Sequence, residues 1–192
     1  MINFNSCLLK DLEEHMHVVK SINGELLSKV ELAVEIMIST LQKDGSVYVL
    51  GNGGSAGDSQ HFVAEMVGRF LMERAPLRFF ALTTNSSIIT AIGNDYSYYD
   101  VFARQVQAAV RTNDTLVAIS TSGNSANVIK AIEVAKERGC SVIGLTGQNG
   151  GKMKDLCDLL IHAPSNSTPR IQEIHILFIH MMCNLLEKRL FT

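Results

Sequence analysis

Between residues 3 and 42 the apolar positions recur at steps of three and four. Leu8, Leu12, Met16, Val19 and Ile22 form one series, and Leu26, Val30, Ala33, Met37 and Leu41 form the next. That spacing predicts two helices, or one helix broken at Asn23-Gly24. Beyond residue 45 the pattern changes. Short apolar runs, SVYVL (46–50), RFFALT (78–83), TLVAIS (115–120), SVIGLT (141–146) and DLLIHAP (158–164), each read as a strand. Helical stretches lie between them, from about Ala56 to Arg74, near 99–110, and from about Ser125 to Arg138, with a short helix in GGKMKDL. A long helix from about Pro169 to Leu190 closes the chain, and Pro169 suits its first position. Short strands separated by helices predict parallel βαβ units with right-handed crossovers. The expected fold is α/β: a doubly wound, five-stranded parallel sheet of order 2-1-3-4-5 with helices on both faces. The expected organisation is one domain over 1–192 with an N-terminal helical extension at about 3–42. Those first helices cannot cover the whole sheet, so a helical face packed against another subunit is expected.

Composition changes this picture little. Hydrophobic residues make up 46% of the 192 and charged residues 19%, with a net charge of −2. That balance gives no electrostatic reason to expect nucleic acid or an anionic membrane as a partner. Cys7, Cys140, Cys157 and Cys183 are scattered and form no CxxC pair, so they read as reduced thiols rather than a disulfide frame. The first residues lack the basic and apolar regions of a signal peptide. No apolar run approaches the ~20 residues that cross a bilayer. A soluble, cytoplasmic protein is the expectation.

Two loops carry the candidate chemistry. GNGGS (51–55) follows the first strand, and STSGNS (120–125) follows the third. A glycine-rich turn opening a helix presents free N–H groups and the positive end of the helix dipole to an anion. A serine N-cap needs one hydroxyl, yet Ser120, Thr121, Ser122 and Ser125 offer four, which favours phosphate binding. Neither loop matches GxGxxG or a P-loop, which excludes those two nucleotide signatures. In a sheet of order 2-1-3-4-5 the first and third strands are neighbours, and the ligand crevice opens between their carboxyl ends. Both loops therefore point to one pocket.

His61 and Glu65 lie four apart, about 40° around a helix, and share a face. Such a pair serves as metal ligands, as an acid–base pair, or as a plain contact on a solvated helix. The last helix adds Gln172, Glu173, His175 and His180. Glu173 nearly superposes on His180, whereas Gln172 differs from it by about 80°, so spacing alone prefers Glu173 as the partner of His180. A buried histidine bonded to a carbonyl is the bland alternative for His180. His15, His17 and His162 have no convergent partners and read as surface or strand-edge residues. Asp95, in GNDYSYYD, contacts a sugar hydroxyl or caps a turn.

With these blocks in view, the chain resembles the phosphoheptose isomerases, sugar-isomerase (SIS) domain enzymes acting on sedoheptulose 7-phosphate. The resemblance covers essentially the whole chain. It rests on GNGGS (51–55), QHFVAEMVGRF (60–70), AIGNDY (91–96), ISTSGNSANVIKA (119–131), LTGQNGGKM (145–153) and RIQEIHILFIH (170–180). It implies an aldose–ketose isomerase working through a cis-enediol at the first step of heptose-precursor synthesis. Glu65 would be the base and His180 the acid. It also implies one zinc ion per subunit, held by His61, Glu65, Gln172 and His180, which sets aside the spacing preference for Glu173. Substrate contacts would come from Asn52, Gly53, Gly54, Ser55, Glu65, Asn94, Asp95, Ser120, Thr121, Ser122, Ser125 and Gln172. The assembly would be a homotetramer with active sites between subunits. Some relatives carry an aspartate where this chain has Pro169. The alternative is a non-enzymatic tetramer that binds the DnaA replication initiator; such relatives lack the glutamate and histidine that stand here as Glu65 and His180.

Overall fold

A computed structural model describes residues 4–192. Asn23 divides the N-terminal helical stretch as its sequence implies: its side chain accepts the Leu26 N–H at 3.0 Å and caps α2 (Gly24–Gln42), separating it from α1 (Phe4–Lys20). Residue 3 of that expected stretch lies outside the described residues. The chain then runs β1 (Val47–Gly51), α3 (Gly54–Val67), β2 (Phe79–Ala81), α4 (Ser86–Asp95) and α5 (Ala103–Ala109). It continues through β3 (Thr115–Ser120), α6 (Ala126–Glu137), β4 (Ser141–Thr146), β5 (Leu159–His162) and α7 (Thr168–Phe191). Short 3-10 turns occupy Tyr98–Asp100 and Gly151–Asp155.

The five strands are parallel in the order β2-β1-β3-β4-β5. Every residue of β3 is buried, because successive side chains alternate between two covered faces. Val117 and Ile119 meet Phe62 of α3, Met37 of α2 and Phe178 of α7 in one core. Leu116 and Ala118 face the other core, with Val106 of α5 and Val128 and Ile132 of α6. The fold is thus the doubly wound α/β sheet its hydrophobic pattern predicts. Among the described residues no helix is long and apolar enough to cross a membrane.

Several elements differ from expectation, among them α4 (Ser86–Asp95), a helix that the reading of the sequence did not place. The helix α3 stops at Val67 instead of running to Arg74. Beyond it the N–H groups of Phe70, Leu71 and Met72 are taken by the Glu187 carboxylate of α7, so they cannot bond back along a helix. The edge strand β2 is three residues long rather than six, pairing only with Val47–Val49. The helix expected near 99–110 divides into a 3-10 turn and α5, and Asp100 in that turn is bound to Ser97 and Lys130. Pro169 occupies the second rather than the first position of α7, where its missing N–H is again no loss.

Candidate active site

Gly51, the last residue of β1, lies opposite Ile119 of β3. From there the chain departs on opposite faces: α3 packs in the core with α2 and α7, whereas α6 packs in the other. The two loops therefore splay apart and leave a crevice at the carboxyl end of the sheet. Asn52 and Asn127 bridge it through a reciprocal amide pair, Asn52 Nδ2 donating at 2.8 Å and Asn127 Nδ2 donating at 3.0 Å. Tyr98 adds a hydroxyl donated to Asn52 Oδ1 at 3.0 Å.

In the serine loop, Ser125 holds the N-cap position of α6, yet its hydroxyl makes no capping bond. It pairs instead with Ser120 Oγ at 2.9 Å, and Ser122 Oγ lies 3.5 Å from Ser120 Oγ. The hydroxyls thus cluster with one another rather than closing off the helix start. Gly123 is required here: its φ is +65°, and a Cβ would stand 2.1 Å from the Gly150 carbonyl oxygen. That contact, with the Gly147 N–H bonded to Thr121 O at 2.9 Å, buttresses the loop from behind. A cavity of about 380 Å³ opens alongside, lined by Thr121, Ser122, Gly147, Gln148 and Asn166. A second cleft, of about 550 Å³, lies at the amino end of the strands around Arg78, Arg111 and Asp114. It holds neither glycine loop, and the topological switch point is at the other end.

On the opposite wall α3 and α7 run side by side in the same direction, since each returns antiparallel to the strand before it. Gln172 of α7 lies against Gly54, so closely that a Cβ there would meet its Nε2 at 2.3 Å. Two turns further on, His180 meets His61 with their Nε2 atoms 3.0 Å apart, and Glu65 Oε1 lies 3.2 Å from His61 Nε2. His61, Glu65 and His180 therefore converge from two helices.

Glu173 does not join them. It faces α1, where Oε2 pairs with His15 Nδ1 at 2.7 Å and Oε1 pairs with Arg170 at 2.8 Å. This corrects two readings of the helix, the spacing preference for Glu173 and the isolation of His15. A partner 158 residues away leaves no trace in local spacing. Asn94 and Asp95 bond to each other at 2.8 Å at the exposed end of α4, Ser55 is buried at the start of α3, and His17 is exposed. His175 is buried, with Nε2–H donated to the Thr146 carbonyl at 3.0 Å; burial holds the ring at a pKa of about 4.

Sequence reasoning passed over Asn127 and Asp58. Asp58 stands one turn before His61 on α3, so its spacing was the available signal. Its Oδ2 is buried without a partner, and burial pushes the carboxyl up against the opposing pull of His61. Two imidazole nitrogens and a carboxylate oxygen are the donor types zinc prefers. Their separations of 3.0 and 3.2 Å approach the edge of a tetrahedron with zinc-length bonds, about 3.3 Å. These donor types and two separations suit such an ion, although among the described residues no group of three or more His, Cys, Asp or Glu is placed so that it could hold one.

Comparison with known proteins bears on the whole chain. The SIS domain family matches residues 12–147. The phosphoheptose isomerase of Aliarcobacter butzleri is 48% identical over 185 residues, covering 96% of this chain and 98% of its own. That of Rhodospirillum rubrum is 54% identical over 167 residues, covering 87% and 89%. The solved phosphoheptose isomerase of Neisseria gonorrhoeae superposes with a TM-score of 0.92 at 43% identity, over 97% of this chain and 100% of that one. A shared fold, shared sequence along nearly the full length and a crevice flanked by the GNGGS and STSGNS loops lead to one conclusion: the chain belongs to the SIS-domain family of phosphoheptose isomerases.

Proposed function

We propose that the protein converts sedoheptulose 7-phosphate to D-glycero-D-manno-heptose 7-phosphate, the class of reaction for which its phosphoheptose isomerase relatives are named. The observation that carries this reading is the convergence of His61, Glu65 and His180 on the helix pair that rises from the crevice.

The serine loop holds the phosphate, and this remote binding energy fixes the reacting end. Asn52–Ser55, Gln172, Asn94 and Asp95 supply polar contacts along the sugar. Glu65 takes the proton from C1 while the C2 oxygen gains one, forming the cis-enediol. His180 then delivers a proton to C2 as the C1 oxygen releases its own, leaving the aldehyde at C1. A positioned acid–base group of this kind contributes about 10²–10⁴ in rate. Zinc held by His61, Glu65, Gln172 and His180, one ion per subunit, would when bound stabilise the negative charge of the enediolate.

The reading includes a homotetramer with sites between subunits. Its support is the face of α1, where Phe4, Leu8, Leu12 and Met16 recur every four residues and are 77, 62, 60 and 50% exposed. A single chain leaves that stripe in water, and a neighbouring subunit would cover it.

Incubation of the purified protein with sedoheptulose 7-phosphate, with and without zinc, tests the activity. Aldose resonances of heptose 7-phosphate in the NMR spectrum are the expected result. Their absence under both conditions, together with capture of the DnaA replication initiator, would favour the non-enzymatic tetramer instead.

A further inference from the structure

We infer that the buried Arg74–Glu187 pair is the positioning unit of this centre, holding Glu65 and His180 in register from behind. The roles of those two side chains rest on the isomerase reading above; the contacts that hold them do not.

Arg74 and Glu187 each expose 1% of their side chains and meet at 3.2 Å. Glu187 accepts three consecutive backbone N–H groups, from Phe70 at 2.9 Å, Leu71 at 2.8 Å and Met72 at 3.0 Å. Arg74 donates to the carbonyls of Met66, Gly68 and Ala75, and through Nη2 to the carbonyl of Glu65 at 2.7 Å. One of these bonds ends on the backbone of Glu65 and another on Phe70, the residue whose ring meets His180. The guanidinium grips the backbone of Glu65 itself, in the last turn of α3. The carboxylate fixes the backbone of Phe70, whose ring stacks on the His180 imidazole with centroids 5.6 Å apart and planes 26° from parallel. Glu187 also lies seven residues beyond His180, on the same face of α7.

Stability alone does not account for such a pair. A buried ion pair often adds nothing over well-packed apolar residues of the same size. An apolar clamp would close the 68–77 segment equally well. It would not aim a carbonyl of α3 or set the plane of the Phe70 ring, which directed hydrogen bonds do. The pair thus ties the helix carrying Glu65, the helix carrying His180 and the ring between them into one rigid unit.

The test measures kcat and KM on the full-length protein for Glu187→Gln, Arg74→Lys and Phe70→Leu. Glu187→Gln keeps the shape and loses charge; Arg74→Lys keeps the charge and loses the fork that reaches Glu65. Either can lose fold as well as function. Phe70→Leu is the safer arm, because the backbone N–H that Glu187 holds is retained. A displacement of about 1 Å at a reacting group costs on the order of 10²-fold in rate. All three variants are therefore expected to lose kcat by up to about that factor, with KM little changed because the serine loop is untouched. Phe70→Leu should also shift the His180 ring-proton resonances, and Phe70→Tyr should restore both readings. Wild-type kcat in Phe70→Leu and in whichever charged-pair variant folds would overturn the positioning role. Unshifted His180 resonances would overturn its geometry. A wild type with no isomerase activity would overturn the isomerase reading instead, while the His180 resonances still decide the geometry.

Discussion

Ser125 stands where a capping serine belongs and does not cap. Its hydroxyl turns to Ser120, which leaves the start of α6 without a side-chain cap and gathers hydroxyls over the crevice. Ser120→Ala or Ser122→Ala removes a hydrogen bond to a charged acceptor, an interaction worth roughly 1.5–3 kcal/mol. Sedoheptulose 7-phosphate should then bind about ten- to a hundredfold more weakly, as titration calorimetry would register. Unchanged affinity in both variants would remove the loop from the site. At the other end, Glu65→Gln and His180→Gln should each lower kcat by about 10²–10⁴. Bound zinc, read by elemental analysis, should fall further in His180→Gln, because an amide oxygen replaces an imidazole nitrogen less well than it replaces a carboxylate.

At the scale of elements, the parallel course of α3 and α7 sets three contacts at once: Gln172 on Gly54, His180 on His61, and Glu187 on the segment after α3. Gly54→Ala tests the first. The new methyl would displace the Gln172 amide, a flexible end, so the protein should stay folded at a cost of about 1–3 kcal/mol. Turnover should drop while thermal unfolding remains cooperative; an active, equally stable variant would mean that the Gln172 position is immaterial. The α1 helix makes a separate case. With Leu8 and Leu12 62 and 60% exposed, the double change Leu8→Glu and Leu12→Glu should leave the single chain's packing intact. Light scattering should then show loss of the proposed tetramer, and a tetramer that persists would place the interface elsewhere.

For the whole molecule, acid weakens the core through two buried groups. His175 is buried as the neutral ring at a pKa of about 4, against an ordinary 6.5. The unfolded chain therefore binds the proton first. The contribution is complete above pH 6.5 and is lost as pH falls from there toward 4, by about 2 kcal/mol between pH 7 and 5. Glu187 acts in the same direction at lower pH. Burial alone would raise its carboxyl, but three N–H groups and Arg74 hold it below the usual range, so its contribution also fades as acid protonates it. Urea midpoints should fall from pH 7 to pH 5 in the wild type. They should fall less in His175→Gln, which keeps a donor for Thr146 O; parallel losses would show that His175 is not the sensitive group.

Continuous apolar runs such as TLVAIS, separated by helical periods, determined the strands, their parallel course and a crevice between the first and third. These follow from local sequence because a strand's facing and a helix's period are properties of neighbouring residues. The serine loop and the His61–Glu65 face were legible for the same reason. Only tertiary structure decided where α3 ends, since VGRFLMER carries no local stop as strong as the Glu187 carboxylate that claims its N–H groups. It also decided that Glu173 faces His15 while His180 faces His61, and that Asn52 is held by Asn127 across the crevice. Each of these joins residues at least 75 positions apart. Contacts of that span form only when the sheet has brought the elements together, and no periodicity within one element encodes them.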